Sequence, residues 1–162
     1  MTEAYVKMRR ETIREGLHQL YIPFYDALCE ELENTFWCPY SGLRTIEDQK
    51  KIYAIGRTTG EPGRTVTNAR PGLSAHNWGC ATDWCEMRPE FTGREVWNNA
   101  DWKVYERAVK KVSLRWGGDF KKFVDKPHNE LILHVSWKEV GMTFERSGEK
   151  VALDLIWGTV KV

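Results

Sequence analysis

Ser74-Ala75-His76-Asn77-Trp78-Gly79-Cys80-Ala81-Thr82-Asp83 is the stretch on which the reading of this chain turns. A glycine turn separates an imidazole from a carboxylate seven positions later. From Gly79 to Met87 the residues suit a β-strand, on which Ala81, Asp83, Cys85 and Met87 share one face. A second imidazole, His128, stands in Asp125-Lys126-Pro127-His128, three residues after a carboxylate. Two histidines, one aspartate and a spare carboxylate are the donor set of a catalytic zinc site. Three protein ligands leave a fourth position for water, and the extra carboxylate takes that water's proton. Oxygen and imidazole donors without a thiolate suit an open catalytic site better than a closed structural one.

Working outward, residues 57–73 are rich in Gly, Pro, Thr and Arg and read as a long surface loop, a common place for function. Before it, Thr45-Ile46-Glu47-Asp48 resembles a capping box, opening a helix that ends near Gly56 with Ile46, Gln49 and Tyr53 inward. A glutamine on that stripe is unusual, because a buried amide is costly without hydrogen-bond partners. Earlier still, Pro23 starts a helix with Phe24, Ala27, Leu28 and Leu32 on its inner face. On the far side, Asp101 caps a helix carrying Val104, Tyr105, Ala108, Val109 and Val112 inward and stopped by Gly117-Gly118. Leu131 to Trp137 alternates as a strand, and Val151 to Trp157 reads as a last strand. These elements predict an α+β fold: a small antiparallel sheet flanked by helices, as a single domain over 1–162. The motifs occupy about 20–137; residues 138–162 form a C-terminal extension that completes the sheet or covers one end of the groove.

The 162 residues suffice for one core, and the net charge of +1 offers no case for nucleic acid. No apolar run approaches a membrane span. The first ten residues lack the apolar core of a secretory signal and carry Glu3, which predicts a cytoplasmic protein. Cys29, Cys38, Cys80 and Cys85 lack Cys-x-x-Cys spacing and read as buried thiols. Eight tryptophans are many for this length; they are assigned to the core first, with some exposed if the protein grips an extended peptide or glycan.

The pattern Ser-x-His-x-x-Gly-x-Ala-x-Asp, followed by carboxylate-x-x-His, resembles the LAS metallopeptidases. These include D-alanyl-D-alanine carboxypeptidases and dipeptidases and the L-alanyl-D-glutamate endopeptidases of phages and bacteria. Ser41-Gly42-Leu43-Arg44-Thr45 with Gln49, Tyr53-Ala54-Ile55-Gly56-Arg57-Thr58, Thr67-Asn68-Ala69 and Trp116-Gly117-Gly118-Asp119-Phe120 look like the endopeptidase branch, in the correct order over roughly residues 20–130. The resemblance implies a Zn²⁺ held by His76, Asp83 and His128, with Asp125 as the general base and then acid. Relatives carry Glu at the Asp125 position. Arg44 binds substrate oxygen and steadies the charge on the carbonyl, and Gln49 and Ser74 hydrogen-bond the peptide or Arg44.

Several readings stay open. Glu130 competes with Asp125 as base, or orients a ligand; His134 is the alternative ligand to His128; Cys85 shares a strand face with Asp83 but is kept as core. His18 is expected to be exposed, and Arg57 and Arg64 are candidates for gripping stem-peptide carboxylates. The implied function is hydrolysis of the peptidoglycan stem peptide between L-alanine and D-glutamate by a monomer that inserts in no membrane, acting as a phage lysis enzyme. The alternatives are a D-alanyl-D-alanine carboxypeptidase and an inactive zinc-holding wall-binding module.

Overall fold

The computed structural model describes residues 2–91 and 93–160. The ends of the 1–162 span, residues 1 and 161–162, lie outside the described residues. In chain order the elements are α1 (Glu3–Glu15), α2 (Ile22–Glu31), β1 (Trp37–Ser41), α3 (Ile46–Ala54), a 3₁₀ turn (Ala75–Trp78), β2 (Ala81–Glu86), α4 (Glu95–Asn98), α5 (Trp102–Lys111), β3 (Arg115–Trp116), a second 3₁₀ turn (Gly117–Asp119), β4 (His128–Glu130), α6 (Trp137–Ser147) and α7 (Glu149–Thr159). The fold class is α+β, with a four-stranded sheet in the order β1-β2-β4-β3 whose pairs are all antiparallel. The chain divides into two compact units, Met1–Leu43 with Gly79–Ile132 and Arg44–Trp78 with Leu133–Val162.

The first unit contains the sheet and α1, α2, α4 and α5. Its core is aromatic: Trp37 stacks on Tyr105 at 4.7 Å between ring centroids, and Tyr25 and Trp84 meet at 5.9 Å. The buried stripe of α2 is Tyr25 and Leu28, flanked by Tyr21 and Leu32, whereas Phe24 and Ala27 are only half-buried. Leu28 and Leu32 are buried as expected, but Tyr21 and Tyr25 take the places expected of Phe24 and Ala27, because the tyrosines bury large rings and still find partners for their hydroxyls. Tyr21 donates to Asn129 Oδ1 and shares a 2.8 Å hydrogen bond with Thr82 Oγ1. Asn129 Nδ2 in turn donates to Thr82 Oγ1 at 3.0 Å and to the Tyr105 hydroxyl at 2.6 Å. Thr82 and Asn129 are opposite each other in the β2–β4 register, so this buried network fixes the register from beneath.

α1 was not foreseen. It begins at Thr2, whose hydroxyl accepts from the Tyr5 amide, and buries no residue fully, so it leaves only a faint hydrophobic pattern. Arg10 anchors it, donating to the carbonyls of Cys29, Leu32 and Trp37 at 3.0–3.2 Å and so satisfying groups at the end of α2 and in β1. Four tryptophans, Trp37, Trp78, Trp84 and Trp116, are buried, while Trp157 is exposed. All four cysteines are free and three are buried; burial pushes the Cys38 thiol up to about 11 and the Cys85 thiol to about 12.

The second unit contains α3, the first 3₁₀ turn, α6 and α7. Here two expectations fail. Leu131–Trp137 is not a strand: β4 ends at Glu130, Leu133 makes only an isolated bridge to Val160, and Trp137 opens α6. Leu131 and Leu133 are buried, which produced the alternating pattern, but Ser136 ends it by capping α6 in a full capping box with Glu139. Val151–Trp157 is not a strand either but the body of α7, with Ala152 and Ile156 buried one helical turn apart. A short apolar run does not distinguish a buried strand from a helix, and here the helical spacing of the buried pair decides.

α6 answers what the C-terminal stretch does within this unit. A Cβ on Gly141 would lie 2.2 Å from Leu73 Cδ2 and 2.6 Å from the Gly72 carbonyl, so α6 approaches that loop as closely as only glycine permits. Phe144 meets the Trp78 ring edge-on at 5.4 Å.

Candidate metal centre

Asp83 and His128 occupy opposite positions on β2 and β4, so their side chains rise from the same face of the sheet. His128 Nδ1 lies 3.2 Å from Asp83 Oδ1. On the other side of Asp83, Ser41 Oγ donates to Oδ2 at 2.6 Å. Ser41 reaches that oxygen through a bulge. Pro39 pairs with Trp84 and Ser41 with Asp83, leaving Tyr40 as the extra residue. Without the bulge Tyr40 would stand opposite Asp83; the inserted residue re-aims the strand end and turns the hydroxyl onto the carboxylate. Pro39 is tolerated because β1 is an edge strand.

Beyond His128 the same face continues to Glu130, two residues along β4. Its Oε2 lies 3.0 Å from His128 Nε2, and its Oε1 accepts from Arg115 Nη1 at 3.1 Å. Arg115 is the β3 residue paired with Glu130. Ser41, Asp83, His128, Glu130 and Arg115 thus form a continuous polar chain across all four strands. Burial lowers the His128 pKa, but the hydrogen bonds and charges of Asp83 and Glu130 outweigh it and push the group up to about 10. The electrostatics of this face favour a cation.

The turn leading into β4 is held at three successive carbonyls. Asp125 O accepts from His128 N at 3.1 Å, Lys126 O from Trp116 Nε1 at 2.7 Å, and Pro127 O from the Tyr105 hydroxyl and the Trp84 amide, both at 3.0 Å. The Asp125 amide donates to Gly117 O at 2.9 Å. The half-buried Asp125 is therefore presented by a rigid turn, although its carboxylate lies on a loop.

His76 is placed differently. It is 3% exposed, within the 3₁₀ turn, and its carbonyl accepts from Arg44 N at 3.0 Å. Asn77 Nδ2 returns a bond to Arg44 O at 2.9 Å, while its Oδ1 accepts from the amides of Gly72 and Ser74. Trp78 Nε1 donates to Gly72 O at 3.1 Å. Asn77, which the sequence reading passed over, is the hub of this turn. Just after it Gly79, at φ +64, has no room for a side chain: a Cβ would lie 2.8 Å from both Gly16 O and His18 N.

One donor atom each from His76, Asp83 and His128 lie within 4.8 Å of one another. A tetrahedral ion with ligand bonds of about 2.0–2.1 Å spaces its donors about 3.3 Å apart, close to the separation of His128 Nδ1 and Asp83 Oδ1. The donor set, two imidazoles and a carboxylate, fits zinc. No thiolate belongs to the group among the described residues, and Cys85 turns instead to the Cys38 carbonyl. His134 is exposed and outside the group. His18 is half-buried rather than exposed, and burial lowers its pKa.

Gln49 is fully buried, with Nε2 donating to Ala69 O at 2.8 Å and Oε1 accepting from Arg44 Nη1 at 3.1 Å. The amide that looked costly on its stripe is satisfied at both ends and holds the Arg44 guanidinium. Ser74 stands half-buried at the start of the His76 turn, its carbonyl accepting from Asn77 N at 2.9 Å. Arg57 lies over the Tyr53 ring at 3.9 Å and donates to the carbonyls of Tyr53 and Thr67, so its donors serve its own loop.

Residues 67–131 match a family model described as D-alanyl-D-alanine carboxypeptidase. Over 100 residues the chain is 35% identical to the peptidoglycan L-alanyl-D-glutamate endopeptidase CwlK of Bacillus subtilis (strain 168), a match covering 56% of this chain and 58% of that protein. The chain thus spans little more than half the length of this curated relative. The crystal structure of the L-Ala D-Glu endopeptidase ChiX from Serratia marcescens shares the fold, with a TM-score of 0.52 and 19% identity over 87% of this chain and 91% of that one. The resemblance read from the motifs is found again in both sequence comparisons, and the structural comparison extends the likeness of fold over most of the chain.

Proposed function

We propose that this protein is a zinc-dependent peptidase that cleaves the peptidoglycan stem peptide between L-alanine and D-glutamate. The observation that carries the reading is the meeting of His76, Asp83 and His128 donor atoms, in a segment similar to a peptidoglycan endopeptidase. His76, Asp83 and His128 would hold the ion, which when bound lowers the pKa of a water and draws charge from the scissile carbonyl. Asp125 takes the proton of the attacking water and returns it to the leaving amine. Arg44, steadied by Gln49, places its guanidinium toward the carbonyl oxygen as negative charge grows there. Ser74 and Gln49 act by shaping the His76 turn and the Arg44 side chain. The two units work as one peptidase domain and as a monomer, released onto the wall from the producing cell; among the described residues no helix is long and apolar enough to cross a membrane.

Mass spectrometry of peptidoglycan digested by the zinc-loaded protein tests the reading. New N-terminal D-glutamate is the expected product. Loss of terminal D-alanine would make the protein a carboxypeptidase, and wall binding with neither product would make it a binding module.

A further inference from the structure

His128 is hydrogen-bonded through both ring nitrogens, and the two partners are not equivalent. Asp83, at Nδ1, belongs to the ligand group; Glu130, at Nε2, does not. Glu130 is 6% exposed, and its second oxygen accepts from Arg115 Nη1 at 3.1 Å. With Nε2 held 3.0 Å from Glu130 Oε2, the nitrogen that faces the ligand group is Nδ1, 3.2 Å from Asp83 Oδ1. An imidazole that binds a metal through one nitrogen carries its single ring proton on the other, and Glu130 is placed to accept that proton from Nε2. From this geometry we infer that Glu130, clamped by Arg115, is a positioning residue that fixes the His128 tautomer and commits Nδ1 to the metal.

The inference rests on the metal reading proposed above and extends it to residues outside the ligand group. It also explains β3, a strand of two residues whose pairing sets Arg115 opposite Glu130. Both Glu130 oxygens are engaged, which separates its part from that of Asp125: Glu130 holds a ligand, and Asp125 moves the proton. A carboxylate beyond a ligating histidine raises the basicity of the ring and restricts its orientation, and losing such a partner costs about 10–100-fold in metal affinity.

The test is zinc affinity by competition with a chelator, for wild type, Glu130→Gln and Arg115→Met. We expect Glu130→Gln to bind zinc about 10–100-fold more weakly, with Arg115→Met falling in the same direction by less. Nitrogen-15 histidine spectra of the zinc-loaded wild type, which need no variant to fold, should show His128 protonated at Nε2 and metal-bound at Nδ1. Zinc bound through Nε2 overturns the inference. So does a Glu130→Gln protein with wild-type zinc affinity, and if that protein also loses turnover, Glu130 becomes the base. A wild type that binds no zinc would instead sink the metal reading itself, a result separate from either.

Discussion

In the first unit, Asp83 and His128 are set by strand pairing: the register makes them neighbours, and a buried lattice of Tyr21, Thr82, Tyr105 and Asn129 prevents the strands from slipping. In the second, His76 sits on four residues of 3₁₀ turn, held by the side chains of Asn77 and Trp78 and by the close approach of α6 at Gly141. A sheet positions through many repeated backbone bonds, so one lost side chain rarely moves it. An irregular turn depends on a few specific bonds and on the absence of a methyl group. His76, the proposed ligand on the turn, should therefore be the one most easily disturbed from a distance.

The largest effect bears on both regions alike. Replacing His76, Asp83 or His128 with alanine should abolish stoichiometric zinc and activity together, measured by metal analysis and turnover on peptidoglycan. Full zinc in His76→Ala would mean that the sheet pair suffices and that the turn contributes no ligand. Next, Asp125→Ala should retain zinc and lose about two to four orders of magnitude in rate. Arg44→Lys should lose about 10–1000-fold in rate with unchanged zinc, since lysine keeps the charge but not the planar fork.

A matched pair of substitutions addresses the comparison directly. Thr82→Val removes the hydroxyl that accepts from Trp84 Nε1 and Asn129 Nδ2, and should cost about 1–3 kcal/mol in urea unfolding. Gly141→Ala forces a methyl against Leu73 and the Gly72 carbonyl and should also cost about 1–3 kcal/mol. Their zinc affinities should differ. Gly141→Ala displaces Gly72, which bonds both Asn77 and Trp78, and should weaken zinc; Thr82→Val should leave it nearly unchanged. The reverse order would show the sheet to be the softer support.

The smallest effect is at the start of α6. Hydrogen bonds from the backbone and the hydroxyl of Ser136 hold the Glu139 pKa below its ordinary value. A carboxylate depressed in the folded state contributes stability that is present above its unfolded pKa and is lost as pH falls through the folded one. The stability gap between wild type and Glu139→Gln should therefore narrow as the pH is lowered from the usual glutamate range, read as a series of melting temperatures.

The grouping of His76, Asp83 and His128 was legible because these residues lie in short motifs whose chemistry does not depend on the rest of the chain. The same holds for the caps of α3 and α5, where Thr45 and Asp101 accept from the amides of Asp48 and Lys103. α6 was missed although Ser136-Trp137-Lys138-Glu139 carries the capping-box spacing, because the alternation of Leu131 and Leu133 before it was extended too far. α7 was missed as well, since Val151–Trp157, six apolar residues interrupted by Asp154, fits either period until its packing partner is known.

The sequence by itself determined the donor types, their spacing along the chain, the family likeness and the thiols kept in the core. Tertiary structure alone decided which partners stand behind those donors. Ser41 faces Asp83 because of a bulge, Glu130 meets Arg115 because β3 and β4 pair in one register, and Asn77 binds a loop glycine five residues back. Each of these contacts depends on where backbone segments run in space, and a side chain carries no record of that until its neighbour has arrived.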